Sequence, residues 1–141
     1  MEDSEAEIKK TLRKYGAEGY MSGFRDNQAL IAFQVRGKSV RFVLTLPSPT
    51  EKQFTEYQLG RSFKTTYTRT PDAAKKLYEQ ACRQRFRALA LCIKAKMEAV
   101  ECGIVTFEQE FLAHFVMPDG RNLGDHVIPQ LNSGQMPKLT F

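Results

Sequence analysis

The residues best able to do chemistry in this sequence are cations at helical spacing. Lys76, Arg83, Arg87 and Lys94 recur at intervals of seven, four and seven residues, which sets side chains near one line of an α-helix. Just upstream, Arg61, Lys64 and Arg69 are interleaved with Phe63 and Tyr67. Guanidinium and ammonium groups along a track neutralise phosphates, and aromatic faces stack unpaired bases at roughly 1–3 kcal/mol each. Arg61, Lys64, Arg69, Arg83, Arg87 and Lys94 are therefore candidate phosphate ligands, and Phe63 and Tyr67 candidate stacking platforms. Glu79, four residues before Arg83, is placed to pair with it and partly neutralise the line, while Arg85 and Lys96 lie to one side. The competing reading is a solvated cationic helix face with Phe63 and Tyr67 packed in the core.

Other chemistry finds less support. Nucleophilic catalysis needs a Ser, Cys or Thr beside a base held by a third group, and His114 and His126 are the sequence's two imidazoles. There is no G-x-S-x-G, no GxxxxGK[ST] and no GxGxxG. Cys82, Cys92 and Cys102 stand ten residues apart with no CxxC, the pattern of reduced thiols on one helix, two of them acting as small buried hydrophobes. A metal reading would gather His114, Asp119, Asp125 and His126, but Asp119 is explained by its turn and adjacent residues on a helix point apart. Glu98 with Glu101, and Glu108 with Glu110, read as solvated helix faces, with Lys94–Glu98 a helical pair. The expectation is a protein without catalytic residues, metal or cofactor.

Charge is unevenly distributed along the 141 residues. Residues 1–60 carry nine basic and eight acidic groups, residues 61–96 ten and two, and residues 97–141 two and six. A cationic middle within a net charge of +5 favours an anionic partner. With 42% hydrophobic and 26% charged residues the composition is that of one globular domain rather than a disordered chain. No stretch approaches the ~20 apolar residues of a membrane span, and the acidic opening MEDSEAEIKK is unlike a signal peptide.

These side chains need elements to position them. A helix from Ser4 to Tyr15, within residues 1–16, is predicted by a Ser4/Glu7 capping box, cations in its last turn and a stop at Gly16. Strands follow at Gly19–Arg25, Ala29–Val35 and Ser39–Leu46, joined by tight turns into an antiparallel meander over 19–46. In the third strand Val40, Phe42, Leu44 and Leu46 face one way. Residues 50–70 read as a loop with a short strand. Thr70 as N-cap, Pro71 at N1 and Gly103 as stop define a long helix, Pro71–Cys102. Over 104–131 the sequence predicts a helix Phe107–His114 opened by a Thr106/Gln109 capping box, a hairpin around Pro118-Asp-Gly120, and a last turn Asp125–Leu131; residues 132–141 read as an extended arm. The fold class is α+β: a meander of three or more strands on one long helix. That helix is longer than one small sheet can cover, which predicts a homo-oligomer through Leu89, Ile93 and Met97.

The run from Ala81 to Gly120, ACRQRFRALALCIKAKMEAVECG continuing IVTFEQEFLAHFVMPDG, resembles a family of small uncharacterised proteins encoded in bacteriophages and prophages. The resemblance extends more loosely to Lys14-Tyr-Gly-Ala17 and to the strand from Val40 to Pro49. Phe86 stands where the motif leads one to expect tryptophan. The resemblance implies an accessory protein acting in the cytoplasm of a bacterial host, and it carries over no site residue. Three antiparallel strands followed by a long helix are also similar to single-strand annealing recombination proteins, a fold-level analogy. Nothing resembles a helix-turn-helix or zinc finger. The function expected is a non-enzymatic phage accessory protein binding single-stranded nucleic acid or a nucleotide. The alternative is a phage inhibitor of a bacterial antiphage defence system, either an anti-CRISPR binding a host effector or a cyclic-nucleotide sponge.

Overall fold

The computed structural model describes residues 2–60 and 65–140. Helix α1, Glu2–Lys14, opens two residues before the expected Ser4 cap. Glu2, Asp3 and Glu5 in its first turn oppose the dipole directly. It ends at Gly16, whose φ of +83° suits a residue without Cβ. Strands β1 (Gly19–Arg25), β2 (Gln28–Val35) and β3 (Lys38–Thr45) form an antiparallel sheet in that order. Arg36 and Gly37 join β2 to β3 with positive φ at both positions, the geometry that matches strand twist in a two-residue hairpin. The register pairs Ile31 with Phe42 and Phe33 with Val40. Alternation then buries Ala29, Ile31, Phe33 and Val35 together with Val40 and Phe42 on one face.

That face packs against α1, through Ile8 and Leu12, and against the long helix α3, Pro71–Glu101. Thr70 caps α3 by accepting from the Ala73 N–H at 3.3 Å, and Pro71 is its first residue. The core stripe of α3 runs from Cys82 to Met97. Leu89, Ile93 and Met97, expected at a seam with a second copy, are 9%, 0% and 3% exposed within the chain's own core. The interface expectation fails because the sheet and α1 already cover those side chains. The surplus length of α3 lies at its N-terminal end, where a short helix α2, Lys52–Thr55, packs Phe54 edge-on against Tyr78 at 5.8 Å. The expected loop there thus contains α2 and a two-stranded hairpin, β4 (Glu56–Gln58) with β5 (Thr66–Thr68).

After Gly103, φ +78°, the Thr106/Gln109 capping box opens α4, Phe107–Phe111. The helix expected to reach His114 tightens into a 3₁₀ turn over Leu112–His114. The expected hairpin shrinks to one bridge, Val116 with Asn122, because Asn122 leaves the strand to cap α5, Leu123–Ser133. Residues 135–140 have no regular structure and are exposed. Among the described residues no helix is long and apolar enough to cross a membrane. The architecture is α+β, with a three-stranded antiparallel sheet, one long helix, short helices and a second small hairpin.

Candidate nucleic-acid interface

On α3, at about 100° per residue, Lys76, Arg83, Arg87 and Lys94 fall within about 40° of arc and span about 27 Å of helix. All four are exposed. Among the described residues none of them makes a salt bridge or side-chain hydrogen bond. The pairing expected between Glu79 and Arg83 does not form; Glu79 Oε1 lies 4.0 Å from Lys75 Nζ instead. The two cations to one side are tied down. Arg85 Nη1 donates to the Thr45 carbonyl at 2.8 Å. Lys96 Nζ bonds Glu110 Oε1 at 3.1 Å and the Glu110 carbonyl at 3.3 Å. Lys94 and Glu98 form no ion pair.

Arg69 is not part of this line. Its Nη1 donates to the carbonyls of Gln53, Phe54 and Glu56 at 2.9, 3.3 and 2.9 Å, and its guanidinium lies 5.6 Å from the centre of the Tyr57 ring. It binds α2 and the β4–β5 hairpin together, an arrangement that leaves Nη1 no capacity for phosphate. Tyr67 stacks on Tyr57 with ring centres 5.4 Å apart and is 42% exposed. Arg61, Phe63 and Lys64 lie outside the described residues.

A pocket of about 440 Å³ opens beside Arg83, the second cation of the line. Phe24, Leu46, Tyr78 and Cys82 give it apolar walls, and Glu2, Asp26, Asn27, Glu79 and Arg83 surround them with polar groups. Phe24, next to last in β1, is 63% exposed, its ring tilted on Phe86 at 6.1 Å. Asp26 is held at φ +55° in the β1–β2 turn, a conformation a short Asp tolerates, and the Leu46 N–H donates to the next carbonyl, Asn27, at 2.7 Å. A hydrogen bond with Cys82, then burial, pushes the Tyr78 phenol above its ordinary range.

The remaining titratable groups hold the fold together. His114 is half-buried and stacked on Phe42, ring centres 4.2 Å apart; burial first, and the Lys96 charge second, lower its pKa. His126 Nε2 lies 2.8 Å from Asp119 Oδ2. The Arg121 N–H, then His126, holds Asp119 below the usual carboxylate range. Asp125 serves the Asn122 capping box. Among the described residues no group of three or more His, Cys, Asp or Glu side chains is arranged to hold a metal ion. Cys82 is buried, but Cys92 and Cys102 are exposed, so one thiol rather than the expected two serves the core.

No protein-family model, curated protein or solved structure matches the chain.

Proposed function

We propose that this protein binds single-stranded nucleic acid, without catalysing a reaction on it, through the cationic line Lys76, Arg83, Arg87 and Lys94. The observation that carries the reading is geometric. Four cations share one exposed line of a long helix, and none of them forms an ion pair with a carboxylate among the described residues. Each phosphate engaged by such a group releases condensed counterions, so binding weakens with salt. Four contacts on a single strand give an affinity that falls about 50-fold between ~50 and ~200 mM salt. The resemblance to phage-encoded proteins fits an accessory role in a bacterial host, within the same proposal.

The test is fluorescence anisotropy of a labelled ~30-nucleotide single strand at both salt concentrations. Arg83→Glu with Arg87→Glu replaces two attractive charges by two repulsive ones on a solvated face. Low-salt affinity is expected to fall about 100-fold or more while the urea midpoint stays put. Wild-type affinity in the double variant removes the line from the interface. Absence of binding by the wild-type protein at low salt overturns the reading and leaves the line to an acidic protein surface, as an inhibitor of a host defence system would use it.

A further inference from the structure

The nucleic-acid reading accounts for phosphates but assigns nothing to the pocket beside Arg83. That pocket has the chemistry of a base site. Its volume of about 440 Å³ lies within the range of small-molecule sites, roughly 300–1,000 Å³. Phe24 offers an aromatic ring that is 63% exposed yet fixed against Phe86. A planar base stacking there covers apolar surface that is otherwise wet. Arg83 belongs both to the pocket lining and to the cationic line, so a strand held along the helix passes the pocket mouth.

The charges around the pocket say which part of a nucleotide enters. Glu2, Asp26 and Glu79 place three carboxylates against the single guanidinium of Arg83. Inside the pocket that balance favours groups that donate hydrogen bonds. Asp26 makes no side-chain hydrogen bond or ion pair among the described residues, and the β1–β2 turn fixes its backbone. Glu79 has only the loose 4.0 Å approach of Lys75. Guanine presents two adjacent donors on its pairing edge, an imino N–H and an amino group, that one carboxylate can accept together. Thymine and uracil set their single N–H between two carbonyls, which face a carboxylate unfavourably.

We infer that this pocket takes one unstacked guanine of the bound strand, with Phe24 as the stacking platform and Asp26 and Glu79 as acceptors for the base's pairing edge. The inference rests on the single-strand reading above and adds a base preference to it.

The test compares labelled 9-nucleotide thymidine strands whose central residue is thymine, guanine, inosine or an abasic site. All four carry the same phosphates, so a difference between them reports the base. The guanine strand is expected to bind about fivefold or more tightly than the thymine and abasic strands. Inosine, which lacks the amino group, loses most of that gain. Phe24→Ala, and separately Asp26→Asn with Glu79→Gln, bring the guanine-to-abasic ratio to about one. Phe24→Ala uncovers part of the core residue Phe86, so the carboxylate variant checks the pocket without removing any apolar group. Equal affinity for all four strands overturns the base site while leaving the phosphate line standing. So does a guanine preference that survives both variants. Failure of every strand to bind at ~50 mM salt overturns the underlying reading, and the base site with it.

Discussion

Arg85 and Arg87 are two residues apart on α3 and carry the same guanidinium, yet Arg85 reaches down to the Thr45 carbonyl at 2.8 Å while Arg87 faces solvent. Two residues on a helix point about 200° apart, so one lands over the end of the sheet and the other away from it. The same division runs through the molecule. Arg41, Arg69, Arg85 and Lys96 are ties: each bonds a group far away in the sequence and fastens one segment to another. Among the described residues Lys76, Arg83, Arg87 and Lys94 fasten nothing. A run of positive charge in a sequence is thus two populations, and the unattached one is the candidate for a partner.

The comparison is best broken at Asn122, the tie whose loss should cost most. Asn122 is 9% exposed, accepts from Arg41 Nε at 3.1 Å, donates to the Arg41 carbonyl at 3.0 Å and caps α5. Asn122→Ala removes both bonds to Arg41 and puts a poor N-cap residue before α5, and is expected to cost about 2–3 kcal/mol in urea unfolding. An unchanged midpoint would mean that the C-terminal segment is held by its apolar contacts alone. Arg69→Met comes next, at about 1–2 kcal/mol, because three carbonyls lose a charged donor. Its salt dependence of nucleic-acid binding should match the wild-type protein. Arg87→Gln should do the reverse. Stability stays within about 0.5 kcal/mol, while the slope of log affinity against log salt shrinks by about 0.7. If Arg69→Met flattened the salt slope and Arg87→Gln did not, the two populations would have been assigned the wrong way round.

Local patterns made the scaffold legible. Period-two alternation marked the third strand, tight polar turns set off the two before it, and Thr70-Pro71 and Gly103 bracketed α3 within a residue. What stayed hidden was non-local. Arg69 finds its carbonyls 13 to 16 residues back and Arg41 finds Asn122 81 residues on, and such bonds leave no periodic trace. The start of α5 was misread because Leu123 and Gly124 look like the end of a hairpin. Gly124 is instead a close approach, where a Cβ would stand 2.9 Å from the Ala113 carbonyl oxygen. The signal that identifies α5 was present as the Asn122/Asp125 capping box. Of the candidate site, the helical half was readable from spacing alone. The pocket was not, since it joins the start of α1, the β1–β2 turn and the middle of α3.

The smallest effect sharpens the comparison from the side of a tie. Lys96, bonded to Glu110, is also the charge that helps depress the pKa of His114 where it stacks on Phe42. Burial and a neighbouring cation both favour the neutral imidazole, so the native value lies below the ordinary 6.5. The unfolded chain therefore takes up a proton first as pH falls. Stability attached to this site is complete above pH 6.5 and is lost as pH falls through 6.5 toward the native value. Glu51, Glu108 and Asp119 are also held below their ordinary values of 4.5, 4.5 and 3.8, and their losses begin only at those lower pH values. A fall in melting temperature between pH 7 and 5.5, measured in a His126→Gln background so that His114 is the one imidazole present, is thus assigned to His114. His114→Gln should abolish that fall, and Lys96→Met should reduce it. Arg87→Gln, which alters an unattached cation, should leave it as it is. A pH dependence that persisted without His114 would show that the stack on Phe42 does not govern the titration.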